Sequence, residues 1–187
     1  QYDFAGGIPQ WGSHTIAQCQ LDMGLADTSA LEYEYPDGGI SQTKSMVIRF
    51  ANGVKLVAQL EGWRGSCGVR YESSEGWVET ADGYERPDLS NPALFKEYRR
   101  LVDGYKQRTG RTLNHLRDFL DCVRSRKRAL AHTEVAHRTM STNLIMDIAL
   151  DLKRSLKWNP QTEEFVGDAE ANKLRSRPMR QPWQITV

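Results

Sequence analysis

This sequence is short of the features that would assign it to a special class. It has only three cysteines in 187 residues, Cys19, Cys67 and Cys122. They are odd in number and far apart with no C-x-x-C pair, which argues against both a disulfide framework and a zinc knuckle. They read as buried reduced thiols, because a free cysteine packs as a small hydrophobe. An excess of charge is missing too: 25 basic residues stand against 24 acidic ones, for a net charge of +1. No global field therefore points to nucleic acid, a membrane surface or an acidic partner. No apolar run approaches the roughly 18 to 20 residues that cross a bilayer, and no charged segment followed by an apolar one opens the chain, so it reads as soluble, with its compartment left open.

Nucleotide and metal motifs are scarce as well. No G-x-G-x-x-G follows a predicted strand. The stretch 104–112, GYKQRTGRT, is not a phosphate loop, since five residues separate its glycines and Arg111 stands where lysine is required. His132 and His137 flank Glu134, but five residues along a helix turn two side chains about 140° apart, so they do not face one metal. The basic run Arg124 to Arg128 reads as a solvated helix terminus, where cations complement the macrodipole. No Ser-His-Asp spacing can be assembled.

What is present is an ordinary domain. A chain that is 39% hydrophobic and 26% charged can bury a core without staples, so residues 1–187 read as one unit. Leu31 to Tyr35 alternates and ends at Pro36-Asp37-Gly38-Gly39, a strand and a turn. Residues 45–51 and 54–60 flank Asn52-Gly53 and predict a hairpin with a type I′ turn. A second hairpin is predicted from 67–72 and 77–80 around Ser73-Ser74-Glu75-Gly76, the strands together making one antiparallel meander. An excursion over 82–91 leads to a short helix near Leu94 to Val102.

Thr112 is the expected cap of a helix striped by Leu113, Leu116, Leu120 and Val123, with Phe119 beside them. Thr133 opens a longer helix to about Lys153, in which Ala136, Met140, Leu144, Ile148 and Leu152 recur every four residues, with Ile145 and Ala149 beside them. These two helices are expected to cover one face of the sheet. A short extended piece at 164–166 and a small helix near Ala169 to Leu174 complete the chain. The fold class is α+β, an open and mostly antiparallel sheet with helices packed on one face.

One segment reads as a site. Gly6-Gly7-Ile8-Pro9-Gln10-Trp11-Gly12-Ser13-His14 predicts a loop that delivers His14 to the first turn of a helix over 14–24, capped by Ser13 and stopped at Gly24. Histidine is suited to proton transfer near neutral pH. At a helix N-terminus the dipole favours the neutral imidazole that a base requires. The alternative is a histidine that only packs the helix start. His115, beside the Leu113 stripe, reads as a packing residue.

Four segments carry a wider resemblance: GGIPQWGSH at 6–14, GVRYESSEGWVET at 68–80, NHLRDFLDCVRSRKRALAHTEVAHR at 114–138 and LKWNPQTEEFVGDAEANKLRSRPMRQPW at 156–183. Together they resemble the C-terminal domain of the Gfo/Idh/MocA oxidoreductases, the glucose-fructose oxidoreductase and inositol dehydrogenase family, in its bacterial branch. The resemblance implies an open-faced sheet that forms the substrate site for a sugar or cyclitol and mediates homo-oligomerisation. It also implies that NAD or NADP and a catalytic lysine belong to an N-terminal Rossmann domain outside this chain. The chain alone is then expected to bind no cofactor and to transfer no hydride.

In that family a D-x-G-x-H-x-x-D pattern acts on the substrate hydroxyl. Aligned on Gly12 and His14, it puts Gln10 and Ala17 at the acidic positions and keeps the histidine. The implied roles are His14 as proton acceptor, with Gln10 and Trp11 lining the sugar site. The departures at 10 and 17 leave a second expectation open: a non-catalytic carbohydrate-binding or assembly module.

Overall fold

The computed structural model describes residues 8–40, 45–59, 68–80 and 86–184, with the side chains of residues 8–10 outside the described part. In chain order the elements are helix α1 (Ile8–Asp22), strands β1 (Glu32–Glu34), β2 (Ser45–Arg49), β3 (Lys55–Gln59), β4 (Val69–Ser73), β5 (Gly76–Thr80) and β6 (Asp88–Leu89), helices α2 (Ala93–Asp103), α3 (Tyr105–Thr109), α4 (His115–Ser125) and α5 (Thr133–Leu152), strands β7 (Leu156–Asn159) and β8 (Glu164–Phe165), and helix α6 (Ala169–Lys173).

The strands form two antiparallel sheets rather than one meander. A five-stranded sheet runs β3-β2-β1-β7-β8, and β4-β5-β6 forms a separate three-stranded sheet. The predicted continuity fails after β3, which ends the sheet among the described residues, and the sheet grows instead from the far edge of β1, which pairs with β7 from the C-terminal part of the chain, Tyr33 opposite Leu156. Local alternation identifies strands but says nothing about which distant strand completes an edge. The fold class holds: an open α+β arrangement with helices on one face of the larger sheet.

The β2–β3 hairpin forms where expected, with a different turn. Only Gly53 has positive φ, +86°, while Asn52 does not. Gly53 donates its N–H to the Phe50 carbonyl, and Phe50 donates to the Val54 carbonyl. This is a three-residue loop, a type I turn closed by a left-handed glycine, in place of the two-residue type I′ turn.

Pleating sends Tyr33, Met46, Ile48, Leu156 and Trp158 to one face, all buried, and Glu32, Glu34, Arg49 and Lys157 to the other, where Arg49 pairs with Glu34 and Lys157 with Glu32. The apolar face is covered by α5 and α1, which pack on each other. Here the structure departs from the expected pair of covering helices. On α4, Leu113 just before it and Leu116, Phe119, Leu120 and Val123 along it are all exposed, from 45% to 77%. Within this helix only Asp118 is buried.

The inward face of α5 coincides only in part with the four-residue recurrence, whose Ile148 and Leu152 pack against the core alongside Ile145 and Ala149. Val135, Thr139, Thr142, Asn143, Ile145, Met146 and Ala149 are buried, and Leu144 is 44% exposed. The inward face is the one with small and β-branched side chains, which lets α1 approach closely.

Caps follow side-chain chemistry closely. Asn114, not Thr112, caps α4 by accepting from the Arg117 N–H at 2.9 Å, and the Thr112 hydroxyl instead accepts from Asn114 N–H. Asp168 caps α6 through the Ala171 N–H and is held in turn by Arg154. An Asp118-centred clasp closes the loop after α4: Arg111 donates to both Asp118 oxygens at 2.8 and 3.0 Å and to the Arg128 carbonyl, and the Leu130 N–H donates to Asp118. Burial opposes ionisation of Asp118, but the Arg111 and Leu130 bonds outweigh it and hold the carboxyl below its ordinary range.

Candidate functional site

The site is built on α1, and α1 starts earlier than its sequence suggests. The helix already includes Ile8, with Pro9 in its first turn, where a missing N–H costs nothing. Ser13 is therefore interior and not a cap. His14 lies nearly two turns in, beyond reach of the end-of-helix dipole, which acts over the first turn. Gly6 and Gly7 lie outside the described residues. The helix ends at Asp22 and turns at Gly24, whose φ is +68°, with Leu25 N–H returning to the Gln20 carbonyl.

What fixes α1 is its inner face. Ile16 and Gln20 are buried, and Gln20 Nε2 donates to the carbonyls of Leu25 and Thr28, tying the helix end to the chain leading into β1. Gly12 marks the crossing with α5. A Cβ built there would lie 2.1 Å from Asn143 Oδ1, so only glycine allows this approach. Asn143 is fully buried; its Nδ2 donates to the Thr139 carbonyl, and its Oδ1, aimed at α1, has no hydrogen-bond partner among the described residues.

The outer face follows from the helical period. Trp11, His14, Gln18 and Asp22 recur at three- and four-residue steps and share one side of α1. Trp11 is 49% exposed, and its ring sits 5.8 Å from the His14 ring at a tilt of 37°. His14 is exposed and Gln18 half-buried. At the far end, about 12 Å along the axis from His14 at the usual rise per residue, the Tyr71 hydroxyl of β4 donates to Asp22 Oδ2 at 2.5 Å. Burial first, then this bond and the charge of Asp22, raise the Tyr71 phenol far above its ordinary value, so it acts as a donor and not as a base.

Of the residues the sequence singled out, the structure brings Trp11 and His14 together. Gln10 precedes Trp11 in the same helix, and its side chain lies outside the described residues. Gln18, Asp22 and Tyr71 were missed. The first two were visible as an i, i+4, i+8 series from His14, whereas Tyr71 is contributed by a strand 49 residues from Asp22, a pairing no local pattern reveals.

The remaining candidates disperse. Cys19 is half-buried, its thiol pushed up to about 12 by burial and then by Asp22. Cys122 is also a free, half-buried thiol, and Cys67 lies outside the described residues. His115 is exposed rather than packed. His137 meets Glu163 at 2.6 Å, where Arg138 also binds, fastening the β7–β8 turn to α5. Among the described residues no group of three or more His, Cys, Asp or Glu side chains could hold a metal ion, and no helix is long and apolar enough to cross a membrane.

Chemically, the outer face of α1 offers an accessible imidazole, a flat aromatic surface beside it, and a carboxylate–phenol pair further along. That set suits a hydroxyl-rich ligand: carboxylate and imidazole accept from hydroxyls, and an indole face covers the apolar C–H side of a ring. It contains no activated nucleophile.

Comparison with known proteins gives one partial relative and one family. Yeast (Saccharomyces cerevisiae) "Phosphoglucomutase 1" is 29% identical over 109 residues, covering 54% of this chain and 18% of that protein. The chain thus spans less than a fifth of that relative, and the match carries no activity to it. No solved structure matches. The oxidoreductase family profile for the Gfo/Idh/MocA C-terminal alpha/beta domain matches residues 1–185. On that match across almost its whole length, this chain belongs to the Gfo/Idh/MocA oxidoreductase family as its C-terminal alpha/beta domain.

Proposed function

We propose that this chain is the substrate-binding and oligomerisation domain of an NAD(P)-dependent sugar or cyclitol oxidoreductase. His14 takes the proton of the substrate hydroxyl, and Trp11 and Gln10 line the sugar site. The observation that carries the reading is the accessible His14 imidazole beside the Trp11 ring on the outer face of α1, within a family match that spans the chain.

The described residues do not themselves fit a dinucleotide. Both sheets are antiparallel, without the parallel strand–glycine loop–helix unit that cradles a pyrophosphate. On this reading the cofactor is held by another domain. The residues of this chain bind and orient the hydroxyl and hold its proton at the imidazole. Gln10, where the family pattern has a carboxylate, can orient a hydroxyl by hydrogen bonds but cannot take its proton. His14 then carries proton transfer alone. The outer sheet face, where Lys55, Val57 and Gln59 of β3 are exposed, supports the oligomerisation role.

The test is His14→Ala in a protein carrying this domain together with its nucleotide-binding domain, with cofactor reduction followed optically across a panel of sugars and cyclitols. Loss of a general base predicts a fall in kcat of about 10² to 10⁴, with KM changing far less. Unchanged turnover refutes the role of His14. Gln10 and Ala17 favour a second reading, a non-catalytic carbohydrate-binding or assembly module. Oxidation of any of these substrates above a no-protein control rules that reading out.

A further inference from the structure

Residues 93–128 make a basic lobe on a nearly neutral chain. They hold eleven basic and four acidic residues, a net charge of +7 where the whole chain carries +1, and such local asymmetry points to an anionic partner. Three of the four acids are already neutralised inside the lobe, Glu97 by Arg100, Asp118 by Arg111 and Asp121 by Arg117. The lobe also contributes little to the core: α2 and α3 bury no residue, and α4 buries only Asp118.

The attachment of α4 decides which way it faces. At about 100° per residue, Leu116, Phe119, Leu120 and Val123 fall in one sector about 100° wide, and Asp118 lies about 150° from its centre. The clasp of Arg111 and the Leu130 N–H on Asp118 therefore fixes the roll of the helix and turns the apolar sector outward. These side chains, with Leu113 just before the helix, are 45% to 77% exposed. Arg124 and Arg117 stand just beyond one edge of the sector, and Arg126 and Lys127 follow at the helix end, all exposed. There the sector continues into an open groove of about 310 Å³, with Phe119, Cys122, Val123 and Ala129 in its wall and Arg126 and Lys127 on its rim.

Cations bordering an exposed apolar sector suit a helix that lies in a lipid interface, where hydrocarbon takes the apolar side chains and the long basic ones reach back to the headgroups. Nucleic acid offers phosphates but nothing for the apolar sector. An acidic protein helix would match both, but it needs a groove between elements, and α4 has no extended packing with any other element among the described residues. A flat interface needs no second wall.

We propose that α4 docks this domain on an anionic phospholipid surface, with its apolar sector at the headgroup–acyl boundary and Arg124, Arg126 and Lys127 on the headgroups. Its 11 residues are too few to span a bilayer, so the helix lies in the plane and binding is reversible. The proposal does not rest on the roles of His14 and Trp11.

Co-sedimentation with vesicles tests it, using a protein that carries this domain together with its nucleotide-binding domain, and circular dichroism to establish that each variant is folded. Vesicles of phosphatidylcholine with about 30% phosphatidylserine should bind at least about tenfold more tightly than phosphatidylcholine alone, and added salt should weaken the binding. Arg124→Gln with Lys127→Gln should weaken it about twentyfold, close to fivefold for each charge near the surface, while Arg124→Lys stays within about threefold of wild type. Leu116→Glu with Phe119→Glu, both at exposed positions, should abolish it. Tryptophan emission of Phe119→Trp should be quenched by acyl-brominated lipid beyond the wild-type level.

Three results would each overturn the proposal. One is no binding to the mixed vesicles, as when the nucleotide-binding domain or another copy covers the stripe. Another is undiminished binding by the Leu116→Glu, Phe119→Glu variant. The third is capture of a polyglutamate peptide without any binding to vesicles, which would assign the face to an acidic protein.

Discussion

Gly12 gives the sharpest test of how α1 is held. A methyl group there would lie 2.1 Å from Asn143 Oδ1 and 3.7 Å from Ile16 Cδ1, so one contact is short by about 1 Å and the other is ordinary. Overpacking of this kind costs about 2 to 3 kcal/mol when the neighbour is buried and cannot swing away, and Asn143 is fully buried with its Nδ2 tied to the Thr139 carbonyl. Against this, alanine replacing glycine inside a helix gains about 1 kcal/mol. Gly12→Ala should therefore destabilise the wild type by about 1 to 2 kcal/mol.

In an Asn143→Ala background the obstructing oxygen is gone and only the helical gain remains, so the same substitution should stabilise by about 1 kcal/mol. The change of sign amounts to a coupling of about 2 to 3 kcal/mol. Urea titrations of the four proteins measure it, read from midpoints at constant slope. An equal effect of Gly12→Ala in both backgrounds, or a stabilising effect in the wild type, would refute the proposed crossing. Because His14 rides two residues further along the same helix, the wild-type background should also lose function at that site if α1 is pushed outward.

Two further outcomes follow from charge and burial. Asp118→Asn should lower stability by about 2 kcal/mol near neutral pH, as charge-assisted bonds to Arg111 and Leu130 are lost. The folded-state value of Asp118 is depressed, so its contribution is fully present above the ordinary carboxylate range and is lost as pH falls through the lower folded value. The gap between wild type and variant should therefore close under acid and stay constant from pH 6 to 8; a gap that widens on acidification contradicts the clasp. Cys19, with its thiol near 12, should resist alkylation at pH 8 in the folded protein and react once the chain is unfolded in urea. Mass-spectrometric mapping that finds it labelled at the unfolded rate would show that α1 does not shield it.

Much of this architecture was legible because its causes are local. Asn52-Gly53 marks a hairpin whatever surrounds it, although the turn became a three-residue loop once Phe50 and Val54 set the register. The extent of α5 was readable from its periodicity, and α2 and α6 also appeared close to their expected limits. Gly12 and His14 drew notice as unusual residues. The start of α1 was not legible, because Ser13 is a good cap by type and Gly12 a good breaker, and both preferences yielded to the packing of α1 along α5.

The sequence by itself determined the class of the domain, its two hairpins, its longer helices and the family, since each depends on residue types at short or fixed spacing, whereas β6, α3 and β7 carried no such signal. Tertiary structure alone decided which apolar faces are used. On α5 both sides are apolar, and the inner one is the side whose small Thr139, Thr142 and Ala149 side chains admit α1 at Gly12. On α4 the stripe is as clear as any in the chain, yet α1 occupies the place beside α5 that this stripe was expected to fill. Periodicity reports that a face must be buried, and only the distances between helices say against what.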